Sequence, residues 1–133
     1  MSLRRRIIRL VATLGVVACF WACNAPFIPV PPPSQVSFTS ELLTNGSGQS
    51  STFWTAHGAP SSPAALARFY IVDIDRQTGV ITRAVADGSF LSPPFEGTEG
   101  DRISIYYMTP DGDMSPEACL LLRADPGQAP ACQ

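Results

Sequence analysis

The residues of this chain whose types and spacing could do chemistry are four cysteines, one histidine and a set of acids in turn-like sequence. Cys19 and Cys23 stand where an apolar run gives way to a proline-rich one, in VVACFWACNAPFIPVPPP. A redox C-x-x-C pair has different spacing and a helix start behind it. A structural zinc site wants four nitrogen or sulfur ligands, and His57 is the chain's one histidine. His57 lies in TAHGAPSS, with Ser50, Ser51, Ser61 and Ser62 near in sequence. Without a G-x-S-x-G elbow they make no recognisable nucleophile and base, so His57 reads as a turn or strand-end residue. Asp73 and Asp75 flank a strand end, Asp111 and Asp113 sit in PDGD, and Glu99 and Asp101 precede a strand. Gathered at one end of a domain, such loops could supply the six to eight oxygens that Ca²⁺ takes. No continuous D-x-D-x-D-G loop is present, and the plainer reading is solvated turn residues. Tyr70 and Tyr106 would lie opposite a core and could form a face for a glycan or a protein. No catalytic constellation and no cofactor site follow from these residues.

Ahead of the first cysteines stand four arginines, at positions 4, 5, 6 and 9, and then 13 uncharged residues from Leu10 to Ala22. A basic region followed by a short apolar one ending in small residues is the pattern of an export signal. The apolar run is short for about 30 Å of hydrocarbon. Val16-Val17-Ala18-Cys19 resembles the lipobox of bacterial lipoproteins, whose cysteine is diacylated and becomes the new N-terminus; Phe20-Trp21-Ala22-Cys23 is the competing match. Cleavage before Cys23 removes both aromatics and leaves two further cysteines free to pair, whereas cleavage before Cys19 leaves a spare thiol in an oxidising compartment. Both sites stay open, with Cys23 preferred. The resemblance implies an exported, membrane-anchored lipoprotein of the bacterial cell envelope, held by membrane lipid through its acylated cysteine. The expected organisation is a signal over residues 1–22 (or 1–18), a tether over 23–34 and a domain over 35–133.

The exported part has five arginines, no lysine and 11 acids, a balance of −6. That excludes nucleic acid as a natural partner and gives anionic headgroups no polybasic patch, leaving the acyl chains to hold the membrane. Residues 24–34 contain five prolines and no charge, which suits an extended spacer. The same composition also suits an edge segment lying on the domain, or a ligand for a proline-recognising module.

Six or seven short strands separated by turn residues follow: 35–43, 50–58, 66–74, 80–86, 101–109 and 118–124, with one possible helical turn in SPAALARF. Ile103, Ile105 and Tyr107 alternate with Arg102, Ser104 and Tyr106. This spacing predicts an all-β domain, a small antiparallel β-sandwich. Its core would draw on Phe53 or Trp54, Phe69, Ile71, Ile103, Ile105 and one side of Leu120 to Leu122. Cys119 and Cys132 bracket a tail containing Asp125-Pro126-Gly127 and are expected to be disulfide-bonded, worth about 3 kcal/mol for a loop of this size.

The stretch from Ile71 to Ser115 resembles a repeat of bacterial surface and secreted Ig-like or transthyretin-like modules. It carries Thr78-Gly79, Asp87-Gly88-Ser89-Phe90, Gly100-Asp101 and Asp111-Gly112 through Ser115 at the repeat's turn positions. The resemblance implies the sandwich fold and says little about activity. Together these features lead to a non-catalytic envelope module, structural or binding, whose partner would be an envelope protein or glycan. An envelope enzyme or enzyme-regulatory domain is the alternative.

Overall fold

A computed structural model describes residues 29–124 and 127–132; Cys19, Cys23 and the signal segment lie outside them. The described chain is an antiparallel β-sandwich of eight strands: β1 (Val36–Thr44), β2 (Ser50–Gly58), β3 (Arg68–Asp73), β4 (Thr78–Arg83), β5 (Phe90–Leu91), β6 (Phe95–Glu96), β7 (Arg102–Met108) and β8 (Ala118–Leu121). One sheet is ordered β1-β2-β5, with β6 on β2 as well, and the other β4-β3-β7-β8.

Alternation sorts most side chains between core and solvent, although Ser104 in β7 is buried on the other face. In β3, Phe69, Ile71 and Asp73 are buried; in β7, Ile103, Ile105 and Tyr107 are buried. Val36, Phe38, Trp54 and Ala56 face them from the first sheet. Phe90 closes the core by stacking on Phe69, ring centroids 4.0 Å apart, and Phe69 also meets Tyr107 at 5.0 Å. Side chains of this size contribute roughly 1.5–3 kcal/mol each when fully buried. Among the described residues the core runs from Val36 to Ala129, with Val30 packed against it.

Several boundaries differ from the sequence reading. The 80–86 strand runs from Thr78 to Arg83, and beyond it the Val85 amide turns to the Ser89 carbonyl. The 66–74 strand begins at Arg68 because Leu66 takes φ 58° and its amide bonds to Val85, ending the extended run. The 118–124 strand ends at Leu121; the Leu122 amide still donates in register to the Asp101 carbonyl, and the chain then crosses to the other sheet, bridging Phe38 at Ala124. SPAALARF makes a single 3-10 turn, Ser62–Ala64, with Pro63 in its first turn. Strands β5 and β6 went unread: each has two residues, and Ser92-Pro93-Pro94 separates them. At that break the Ser92 hydroxyl accepts the Ala56 amide and so fills in for a ladder partner.

The tail joins the sheets along one side. Cys119 and Cys132 are disulfide-bonded with Cα atoms 5.4 Å apart. The Cys132 amide donates to Cys119, the Leu121 amide to Pro130, and the Ala129 amide to Val36 of β1. The proline-rich segment also meets the domain: Val30 packs against the core and the Tyr107 hydroxyl donates to the Pro31 carbonyl at 2.9 Å. Its last six residues, 29–34, therefore include contacts to the domain, the edge-segment arrangement rather than a spacer throughout.

Candidate functional site

The register gives the sandwich two distinct ends. Val36, Gly58, Phe90, Arg68 and Met108 share the end at which the proline segment arrives. The β1–β2 tip, the β3–β4 turn and residues 97–101 share the other.

At this distal end the two sheets are unequal in length. Strands β1 and β2 have nine residues each, and β3 and β7 have six and seven. At about 3.3 Å per residue the hairpin overhangs by roughly 10 Å. Its inner-face row continues past Phe38 and Trp54 into Ser40, Leu42, Thr52 and Ser50 with no opposing strand beneath. The outcome is a solvent-open cavity of about 520 Å³. Ser40, Ser50, Ser51 and Thr52 line it from the hairpin, with Arg76 and the loop carrying Glu96, Thr98 and Glu99 facing them. Gly97 lets that loop lie against the core: its carbonyl accepts the Trp54 indole N–H at 3.0 Å, and a Cβ there would collide with the Leu122 side chain. The β1–β2 turn is held by Asn45, whose Oδ1 accepts the amides of Ser47 and Gln49.

Below the cavity two arginines are fixed by acids. The Arg76 guanidinium binds Asp101 Oδ2 at 3.0 Å and also donates to the Thr98 hydroxyl. Arg102 pairs with Asp75 at 2.6 Å, holding the Asp75 carboxyl below the usual carboxylate range. Asp73 is the exception. Its side chain is fully buried, Oδ1 accepts the amides of Asp75 and Arg76, and Oδ2 has no hydrogen-bond partner. Burial pushes its carboxyl up; the Arg76 amide opposes this and the negative charge of Asp101 adds to it.

The structure does not assemble the calcium site entertained from sequence. Asp73 and Asp75 are at the distal end, whereas Asp111 and Asp113 follow β7 at the tether end, because antiparallel β3 and β7 put the turns after each at opposite ends. Among the described residues no group of three or more acids, histidines or cysteines is arranged to hold a metal ion. His57 Nε2 and the Thr39 hydroxyl are hydrogen-bonded at 2.8 Å across β1 and β2, and Ser50 and Ser51 are at the far end of its strand. Tyr70 and Tyr106 are cross-strand neighbours outside the core, half-buried and stacked at 5.0 Å, with exposed Ile81 opposite Tyr70 on the next strand. They form a continuous apolar stripe across β4, β3 and β7.

The cavity went unread in the sequence. Its residues come from five separate segments, and its one local signal is the polar substitution of Ser40, Ser50 and Thr52 into an otherwise apolar inner row. No protein-family model, no curated protein and no solved structure matches the chain.

Proposed function

We propose that the chain is a non-catalytic lipoprotein of the bacterial cell envelope, exported and acylated at Cys23 or Cys19, whose sandwich is a binding or structural module held beside a membrane. The observation supporting this reading is the polarity of the domain. The chain arrives at one end, where Val30 and Pro31 are fastened, and the open cavity with its overhanging hairpin is at the other. Only residues 24–28 separate Cys23 from the described segment, at most about 18 Å of extended chain. An anchor at Cys23 keeps the tether end close to the bilayer and turns the distal end outward, toward an envelope protein or glycan. Acyl chains supply about 0.8 kcal/mol per buried CH₂, which the acidic domain cannot replace by charge.

Radiolabelled palmitate fed to a bacterial host tests this. The wild-type chain should take up label and partition with membranes, and Cys23→Ser should abolish both if that cysteine is the one acylated. With both Cys19 and Cys23 changed to serine, the label should vanish whichever site is used. Absence of label in the wild type would overturn the reading.

A further inference from the structure

Three features of the distal end have no partner among the described residues. First, the outer edge of β1 is occupied at Val36 by Ala129 and at Phe38 by Ala124, and among the described residues nothing pairs with it from Thr39 to Thr44. An unpaired edge offers a row of backbone donors and acceptors to another strand. Second, Leu42 on the inner row is 66 % exposed and Leu43 beside it 47 % exposed, on a projecting hairpin. Third, the charge is unbalanced. Arg76 and Arg102 are taken by Asp101 and Asp75, while Glu41 on β1 and Glu96 and Glu99 at the cavity have no ion pair with any described residue.

We propose that this end binds an extended polypeptide segment carrying basic side chains, which adds to the open edge of β1 and sets a lysine or arginine on the outer face beside Glu41, with its alternate apolar residues on the inner face beside Leu42. Strand addition of this kind takes affinity from main-chain hydrogen bonds and selectivity from pockets for alternate side chains. Ala124 already sits on this edge at Phe38, and the cavity begins beside it, with Ala124 and Ser40 in its wall. Charge selects the occupant: Glu41 on β1 and Glu96 beyond Phe53 share the outer face and have no ion pair with any described residue, which suits a basic segment and repels an acidic one. Leu42 supplies the apolar contact. The inference rests on the domain being a displayed binding module but does not require acylation, so the palmitate experiment and the following one can fail independently.

The probe is a capped seven-residue peptide of alternating valine and lysine, titrated into the processed chain purified from its bacterial host, with the valine–glutamate peptide as control. The lysine peptide should slow amide hydrogen exchange across Thr39 to Thr44 and shift the resonances of Glu41; the glutamate peptide should do neither. Glu41→Gln should weaken binding by about two- to fivefold, the scale of one exposed ion pair. Leu42→Ser should weaken it by about tenfold while leaving the unfolding midpoint unchanged, since Leu42 supports nothing in the core. Equal protection by both peptides, protection by neither, or protection of β1 in the absence of peptide accompanied by dimer formation in sedimentation would each overturn the proposal.

Discussion

Asp73→Asn should make the domain more stable at neutral pH, although it deletes a charge that lies 3.9 Å from an arginine. The wild-type carboxyl uses Oδ1 for two turn amides and leaves Oδ2 buried without a partner. An asparagine keeps the first oxygen in place and puts an N–H₂ donor where the second was. Asp101 is at hand to accept it: Asp101 Oδ2 and Asp73 Oδ2 flank the same guanidinium nitrogen, at 3.0 and 3.9 Å. A buried unsatisfied group costs about 1–3 kcal/mol. The surrendered attraction to Arg76, whose side chain is 41 % exposed, is worth a fraction of 1 kcal/mol. The net expectation is a gain of about 1 kcal/mol at pH 7, or about 4–8 °C in Tm for a domain near 100 residues. The pH dependence has a definite sign. Burial raises the folded carboxyl above its unfolded value, so the native state holds the extra proton, and the stability this group contributes is full below about pH 4 and is lost as pH rises through the folded value. The difference between variant and wild type should therefore be small in acid and open toward neutrality, with the titration of other carboxylates cancelling in the subtraction. Urea unfolding of both proteins at several pH values reads it. A variant less stable than wild type at pH 7, or a difference that does not change with pH, would refute the account of Asp73 as a protonated or strained buried acid.

Three further outcomes are expected. Replacing Cys119 and Cys132 together by serine should cost about 3 kcal/mol, the loop-closure value for a sequence separation of 13, and should raise hydrogen exchange at Ala129 and Leu121 in particular; an unfolding midpoint indifferent to reductant would contradict it. Tyr107→Phe should lose about 1 kcal/mol and speed proteolysis within residues 29–34 while the circular dichroism stays β, because the hydroxyl's bond is to Pro31. Gly88→Ala should cost more than 1 kcal/mol, since Gly88 has φ 85° and an added Cβ would strike the Ser61 carbonyl; a neutral result by thermal melting would count against that turn geometry.

What the sequence revealed and what it hid follow from how local each determinant is. Period-two alternation is written residue by residue, so Ile103, Ile105 and Tyr107 could be sent inward and Tyr106 outward without knowledge of the partner strands, and the structure does the same. Turn chemistry is similarly local: Asp87 Oδ1 accepts the Ser89 amide at 2.8 Å, and Phe90 then enters the core, as Asp87-Gly88-Ser89-Phe90 suggested. Strands β5 and β6 resist such reading because two residues cannot display a period. They exist because β2 needs partners on its second edge, a requirement visible only once β2 has been placed. The acidic turns show the same limit from the other side. Composition could count Asp73, Asp75, Asp111 and Asp113, but the antiparallel pairing of β3 with β7 decides that the first two are at the opposite end from the last two.

The cavity takes this reasoning one step further, since it comes from a difference between sheets and from no single strand. Each hairpin strand is an ordinary amphipathic strand, and alternation alone would bury Leu42 as readily as Phe38. Leu42 is instead 66 % exposed and Phe38 1 % exposed, because β3 ends at Asp73 and β7 begins at Arg102, and the inner row of β1 outruns them. The sequence answers the overhang by changing chemistry along that row. The apolar residues Val36, Phe38, Ala56 and Trp54 give way to Ser40, Thr52, Thr44 and Ser50 beyond the covering sheet, and the last two share a hydrogen bond at 2.8 Å. Leu42 breaks that trend. A large apolar side chain in an otherwise hydroxyl-bearing inner row gains little from the fold, which directs attention to what could cover it. Serine there would complete the polar row at little cost to folding, so loss of peptide binding in Leu42→Ser with an unchanged melting curve would separate a contact made for a partner from one made for the core.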